Sequence, residues 1–114
     1  MCKSFGEGNM HQQMLCAAIA KWQAIEFRYG DELRPRLFHP YVLWRSEEDE
    51  PVLSGYVESN PNKPLEKHLW KNLTPDKIKM PIVLKEQFRP ETTFYPLNKR
   101  YVGKVICVVP QYLN

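Results

Sequence analysis

The spacing of apolar positions changes twice along the chain. Met14, Ala18 and Trp22 recur every four residues, with Leu15 and Ile19 beside them. That makes an apolar stripe on a helix of about three and a half turns, expected to pack on a sheet. Asn9 followed by Gln12 offers a capping box for free amides at a helix start, so the helix is expected over residues 9–22, behind a flexible leader at 1–8. From Gln23 the period falls to two. Ile25, Phe27 and Tyr29 share one face of a predicted strand, with Glu26 and Arg28 on the other, and Gly30-Asp31 supplies a turn.

The next stretch, "ELRPRLFHPYVLW" at 32–44, also reads as a strand, although it carries two arginines, a histidine and two prolines. Strict alternation puts Arg34, Arg36, Phe38, Pro40, Val42 and Trp44 on one side, and Leu37, His39, Tyr41 and Leu43 on the other. Both sides are apolar beyond Leu37. The strand therefore either passes from an exposed arginine-rich end into a core or bulges at a proline. The acidic "SEEDEP" at 46–51 reads as a solvated hairpin tip, since a calcium loop needs spaced ligands and a glycine. "VLSGYVES" at 52–59, "KHLWKNL" at 67–73 and "KIKMPIVL" at 77–84 follow as extended segments. Pro61-Asn62-Lys63-Pro64 and Thr74-Pro75-Asp76 divide them. Residues 85–100 carry no assignable pattern, and "KVICVVP" at 104–110 is a β-branched run that predicts a buried last strand.

One helix followed by five or six short strands at hairpin spacing predicts a mainly β fold, a small antiparallel β-barrel with an N-terminal α-helix as lid or plug. The single domain is expected to occupy residues 9–114, with the barrel at 23–84 and an extension carrying the last strand at 85–114. A chain of 114 residues suits one such core.

Charge adds an asymmetry. Residues 1–60 hold 6 Lys/Arg and 9 Asp/Glu, net −3, whereas residues 61–114 hold 10 and 4, net +6. A basic second half faces either water or an anion such as nucleic acid or phosphate. The cysteines Cys2, Cys16 and Cys107 are odd in number and far apart, with no C-x-x-C pair. That pattern predicts reduced thiols in a cytoplasmic protein, with Cys107 an inert buried thiol. The N-terminus lacks the apolar core of a signal peptide, and the longest apolar runs are too short to span a bilayer, so no membrane partner is expected.

Catalytic signatures are missing from the sequence: no phosphate-binding glycine loop, no H-E-x-x-H and no G-x-S-x-G. Two histidines, His39 and His68, are too few for a zinc site. No enzyme activity, cofactor or metal is expected. Binding chemistry is better represented. Arg34 and Arg36 on one strand face would lie about 7 Å apart. They either clamp adjacent phosphates or a carboxylate, or stay solvated or paired with Glu26, Asp31 or Glu32. Tyr56, beside Gly55, either meets a ligand or packs in the core, and Gly55 itself admits a ligand or another backbone. Trp70 between Lys67 and Lys71 is either a cluster of the kind that binds single-stranded nucleic acid or a buried Trp flanked by snorkelling lysines.

The order of features resembles the WYL domain, a bacterial regulatory domain. The matching residues are Ala18-Ile19, then the strand Ile25-Glu26-Phe27-Arg28-Tyr29. After these come Arg36-Leu37-Phe38-His39-Pro40 with Tyr41 and Leu43, then Leu53-Ser54-Gly55-Tyr56, and finally Leu73 and Ile78. The resemblance covers residues 16–84. It departs at the namesake Trp-Tyr positions, which fall on Pro51-Val52, and lysines at 67, 71 and 77 stand where arginines are expected. It implies an SH3-like or Sm-like barrel that senses a ligand or touches nucleic acid in transcriptional regulation. Such domains usually follow a helix-turn-helix domain. Here one helix precedes the first strand, and a stand-alone module is expected.

The expected function is a non-enzymatic ligand-sensing or nucleic-acid-binding regulatory module. Arg34 and Arg36 would hold an anionic small molecule or single strand, with Arg28, His39, Tyr56, Trp70 and Lys71 as further contacts. The alternative is a protein-interaction or homo-oligomerisation module that offers a barrel edge such as "KVICVVP" to a regulatory partner.

Overall fold

The computed structural model describes residues 3–89 and 104–110, with the backbone alone for residues 3–10. Helix α1 (Lys3–Ala20) is followed by strands β1 (Gln23–Tyr29), β2 (Arg36–Arg45), β3 (Pro51–Ser59), β4 (Trp70–Leu73), β5 (Ile78–Gln87) and β6 (Val105–Val108). Short 3-10 turns at Pro64–Glu66 and Pro75–Lys77 precede β4 and β5. The expected mainly β, antiparallel architecture with one N-terminal helix is therefore present.

The helix bounds differ from 9–22. Residues 3–8, expected as a leader, are helical, so Asn9 lies inside the helix instead of capping it. The helix stops at Ala20 because Trp22 takes a left-handed φ of 57°, which swings the chain into β1. Trp22 consequently leaves the helical stripe, while Leu15, Ala18 and Ile19 are fully buried as its spacing requires.

The six strands form one sheet in the order β4-β3-β2-β1-β5, with β6 also on β2. β2 hands one edge from strand to strand: its Leu37 and Phe38 pair with Glu26 and Ile25 of β1, and its Val42 and Leu43 with Val108 and Cys107 of β6. The two outermost strands are consecutive in sequence. Leu73 and Ile78 are joined by a turn with about 2 Å rise per residue, whereas five flat strands would set β4 and β5 about 19 Å apart. The sheet must therefore curl strongly.

Among the described residues no ladder joins β4 to β5, so the sheet is not closed into a barrel. Between β4 and β5 the turn and the end of β1 take the place of a ladder: the Thr74 amide donates to Tyr29 Oη at 2.8 Å, and the Gly30 amide to the Lys77 carbonyl at 2.9 Å. Pro75, which has no N–H to give, sits buried in that gap.

The conflict of faces in β2 resolves into a bulge. Pro40 pairs with Gly55 and Val42 with Ser54, so the register shifts at Tyr41, the extra residue of the bulge. The extra residue re-aims the strand, and Pro40, Tyr41, Val42 and Leu43 are all buried. Gly55 is needed at that point. A Cβ there would lie 2.0 Å from the His39 carbonyl oxygen, so this glycine admits another backbone.

β6 is half-buried apart from exposed Val105, and buried Val109 follows it. Cys107 is not an isolated thiol. It forms a disulfide with Cys16 across 91 residues, with the Cα atoms 5.7 Å apart, joining β6 to α1. This replaces the expectation of reduced cysteines, because the fold brings together residues whose distance in sequence hid their pairing.

Candidate ligand-binding site

Arg36 opens β2, directly after a loop whose Glu32 points back at it. Its Nη2 lies 2.5 Å from Glu32 Oε2 and its Nε donates to Oε1 at 3.2 Å. Its Nη1 is 3.9 Å from Glu66 Oε1. The guanidinium also sits 4.9 Å from the centre of the Tyr29 ring, a cation–π contact. Arg36 is 3% exposed. A bidentate arginine pair held this way has its fork occupied.

Arg34 is not beside it on a strand face. It precedes β2 and is exposed, and Asn62 holds its backbone: the Arg34 amide donates to Asn62 Oδ1 at 3.2 Å, and Asn62 Nδ2 donates to the Arg34 carbonyl at 2.8 Å. The expected two-arginine clamp is therefore not formed, because Pro35 lies between a loop residue and the first strand residue.

Lys71 joins the Arg36 cluster from β4, its Nζ 3.1 Å from Glu66 Oε2. Burial pushes the Glu66 carboxyl up, but hydrogen bonds from Lys71 and Asn60, together with the charges of Lys71 and Arg36, outweigh it and hold the group below its ordinary value. This polar cluster ties the loop at 30–35 to the turn that leads into β4. Arg28 lies apart from it, exposed on β1, with Nη2 3.6 Å from Met80 Sδ on β5.

The other three candidates meet. His39 of β2 pairs with Tyr56 of β3, and Tyr56 pairs with Trp70 of β4, so the three stand in a row across the sheet. Tyr56 and Trp70 pack edge-on, ring centroids 4.8 Å apart. Beneath them lies the bulge residue Tyr41, 1% exposed, at 5.4 Å from Tyr56 and 5.7 Å from Trp70. Phe88 stacks on His39 at 4.3 Å with the ring planes nearly parallel, and Trp22 packs edge-on against both Tyr41 and Phe88. The Nε2–H of His39 donates to Glu58 Oε1 at 2.8 Å, which fixes the ring's orientation.

His39, Tyr56, Trp70 and Phe88 are all half-buried, neither sealed in the core nor fully exposed. A row of half-buried aromatic rings is the type of surface on which planar rings stack. Tyr41, Glu58 and Phe88 were not singled out from sequence. Tyr41 carried the signal of a strand apolar on both sides, but Phe88 falls in the stretch without a pattern. Among the described residues no group of three or more His, Cys, Asp or Glu is placed to hold a metal ion, and no helix is long and apolar enough to cross a membrane.

No family model matches the chain, and no curated protein matches it. Among solved structures it is similar to proteasome accessory factor B/C (PafBC) of Arthrobacter aurescens, with a TM-score of 0.60 and 16% sequence identity. The likeness covers 78% of this chain and 14% of that one. At this identity it is a likeness of fold.

Proposed function

We propose that the chain is a non-enzymatic regulatory module that binds an anionic, ring-bearing ligand, with single-stranded nucleic acid or a nucleotide as the class its surface suits best. The observation that carries this is the row His39, Tyr56 and Trp70, half-buried and braced by buried Tyr41. Base–aromatic stacking needs such preset rings. Exposed Lys67, three residues before Trp70, and the net +6 of residues 61–114 supply attraction for phosphate. Two further supports are the WYL-like series of strand residues and the fold shared with part of PafBC, a proteasome accessory factor. Arg36 and Lys71 serve here as positioning residues, which anchor the turn before Trp70 through Glu66, and the rings replace the arginines as the principal contacts.

The test is a titration of short oligothymidylate, its RNA counterpart and mononucleotides at low and moderate salt. Binding should weaken by about tenfold or more in Tyr56→Ala and in Trp70→Ala, as one lost base stack predicts, and should fall with salt. Absence of binding, or binding unchanged in the double variant, would remove the proposal.

A second reading, an interaction module, is favoured by one observation. The expected edge "KVICVVP" is paired with β2, whereas β5 lies at one end of the sheet with Met80 71% and Ile82 56% exposed. Light scattering of the wild type and Ile82→Lys checks it: a concentration-dependent dimer lost in the variant supports it, and a monomer at all concentrations removes it.

A further inference from the structure

The disulfide links two elements that otherwise hold each other by little backbone bonding. β6 is four residues long. It lies on β2 through the pairs Val42 with Val108, Leu43 with Cys107 and Trp44 with Val105, with a register shift between the last two. At its ends the Arg45 amide donates to the Lys104 carbonyl, and the Val109 amide to the Tyr41 carbonyl, each at 2.9 Å. α1 packs on β1, β2 and β6. Cys16 and Cys107 are half-buried, not sealed in the core, and exchange needs only that a thiolate reach one of the two sulfurs. The residue that β6 steadies through Val109 is Tyr41, the buried ring under Tyr56, Trp70 and Phe88.

We propose that Cys16 and Cys107 are a reversible thiol–disulfide latch that sets how firmly β6 is held against Tyr41. A dithiol reductant opens it by exchange. One thiolate attacks a sulfur of the pair, the S–S bond breaks, and the reductant's second thiol resolves the mixed disulfide. Two electrons and two protons pass to Cys16 and Cys107, and the reductant leaves as its own disulfide. The short β6 ladder then stands alone against local opening, and Tyr41 loses a fixed neighbour. That this alters ligand binding rests on the function proposed above; the latch itself does not.

The experiment compares the air-oxidised chain with the chain held in dithiothreitol. Thiol titration and intact mass should give one reactive thiol of the three cysteines when oxidised and three when reduced. Amide exchange should then show residues 106–109 losing protection by about tenfold or more on reduction, with β1 and β3 little changed, because local openings lie below the global one. Cys16→Ser should match the reduced chain and ignore the reductant. Three reactive thiols in the oxidised chain, or unchanged protection of β6 on reduction, would overturn the latch. Should both states fail to bind oligothymidylate while β6 still loosens on reduction, the binding proposal falls and the latch stands.

Discussion

Replacing Arg36 separates a structural arginine from a ligand clamp. Arg36→Ala removes the cation that faces both Glu32 and Glu66. Losing one partner of a buried ion pair costs about 3–5 kcal/mol, because the remaining charge stays desolvated. Here Lys71 still reaches Glu66, and the side chains of Glu32 and Glu66 keep 16% and 14% exposure. The lower end, about 3 kcal/mol, is therefore expected. For a chain of 114 residues that corresponds to a fall in Tm of about 12 °C. Arg34→Ala, on an exposed loop residue, should stay within about 0.5 kcal/mol. Urea unfolding followed by circular dichroism reads both, with the m-value checking that the transition stays two-state. Replacing both charges in Arg36→Met plus Glu32→Leu should recover much of the loss, since no unpaired carboxylate remains at Glu32. A cost below about 1 kcal/mol for Arg36→Ala, the range of an exposed ion pair, would refute the reasoning and return Arg36 to the candidates for direct ligand contact.

Gly55→Ala places a Cβ against the backbone of β2, 2.0 Å from the His39 carbonyl oxygen and 3.0 Å from the Phe38 ring. The strands must separate, so about 3 kcal/mol of destabilisation is expected in the same unfolding assay; a neutral result would contradict the close approach. The acid limb of stability should carry the signature of Glu66. Its folded value is depressed, so its contribution is complete above the ordinary carboxylate value of about 4.3 and is lost as pH falls through the folded one. Unfolding free energies measured from about pH 6 down to about pH 3 should therefore fall more steeply in the wild type than in Glu66→Gln. Parallel curves would refute that assignment.

Much of the fold was legible because period survives folding. The four-residue stripe placed Leu15, Ala18 and Ile19 in the core, and alternation placed Ile25 and Phe27 there. Where one residue breaks the period, the pattern failed. Tyr41 enters as a bulge, and every face assignment beyond it shifts. His68, read as strand, has a φ of 71° and belongs to the turn before β4. Of the three carboxylates offered as partners for Arg36, Glu32 is its partner, but Glu66 comes from thirty residues further along and gave no local signal. Separation in sequence likewise hid the Cys16–Cys107 bond and the stacking of Phe88 on His39. Tyr56 and Trp70 were identified as contacts from their neighbours in sequence, Gly55 and the lysines at 67 and 71; their alignment with His39 needed strand register, which no single strand carries.

The central claim is that the aromatic row receives the ligand. The chain has three tryptophans, at 22, 44 and 70, hence three indole signals in a nitrogen–proton correlation spectrum. Trp44 is an internal control, its Nε1–H donating to Ser54 Oγ at 2.9 Å. Addition of short oligothymidylate should shift the Trp70 indole signal and the Tyr56 ring protons progressively while the Trp44 signal stays in place. Saturable binding that leaves Trp70 and Tyr56 unmoved, and shifts the amides around Arg34 or Arg28 instead, would contradict the account.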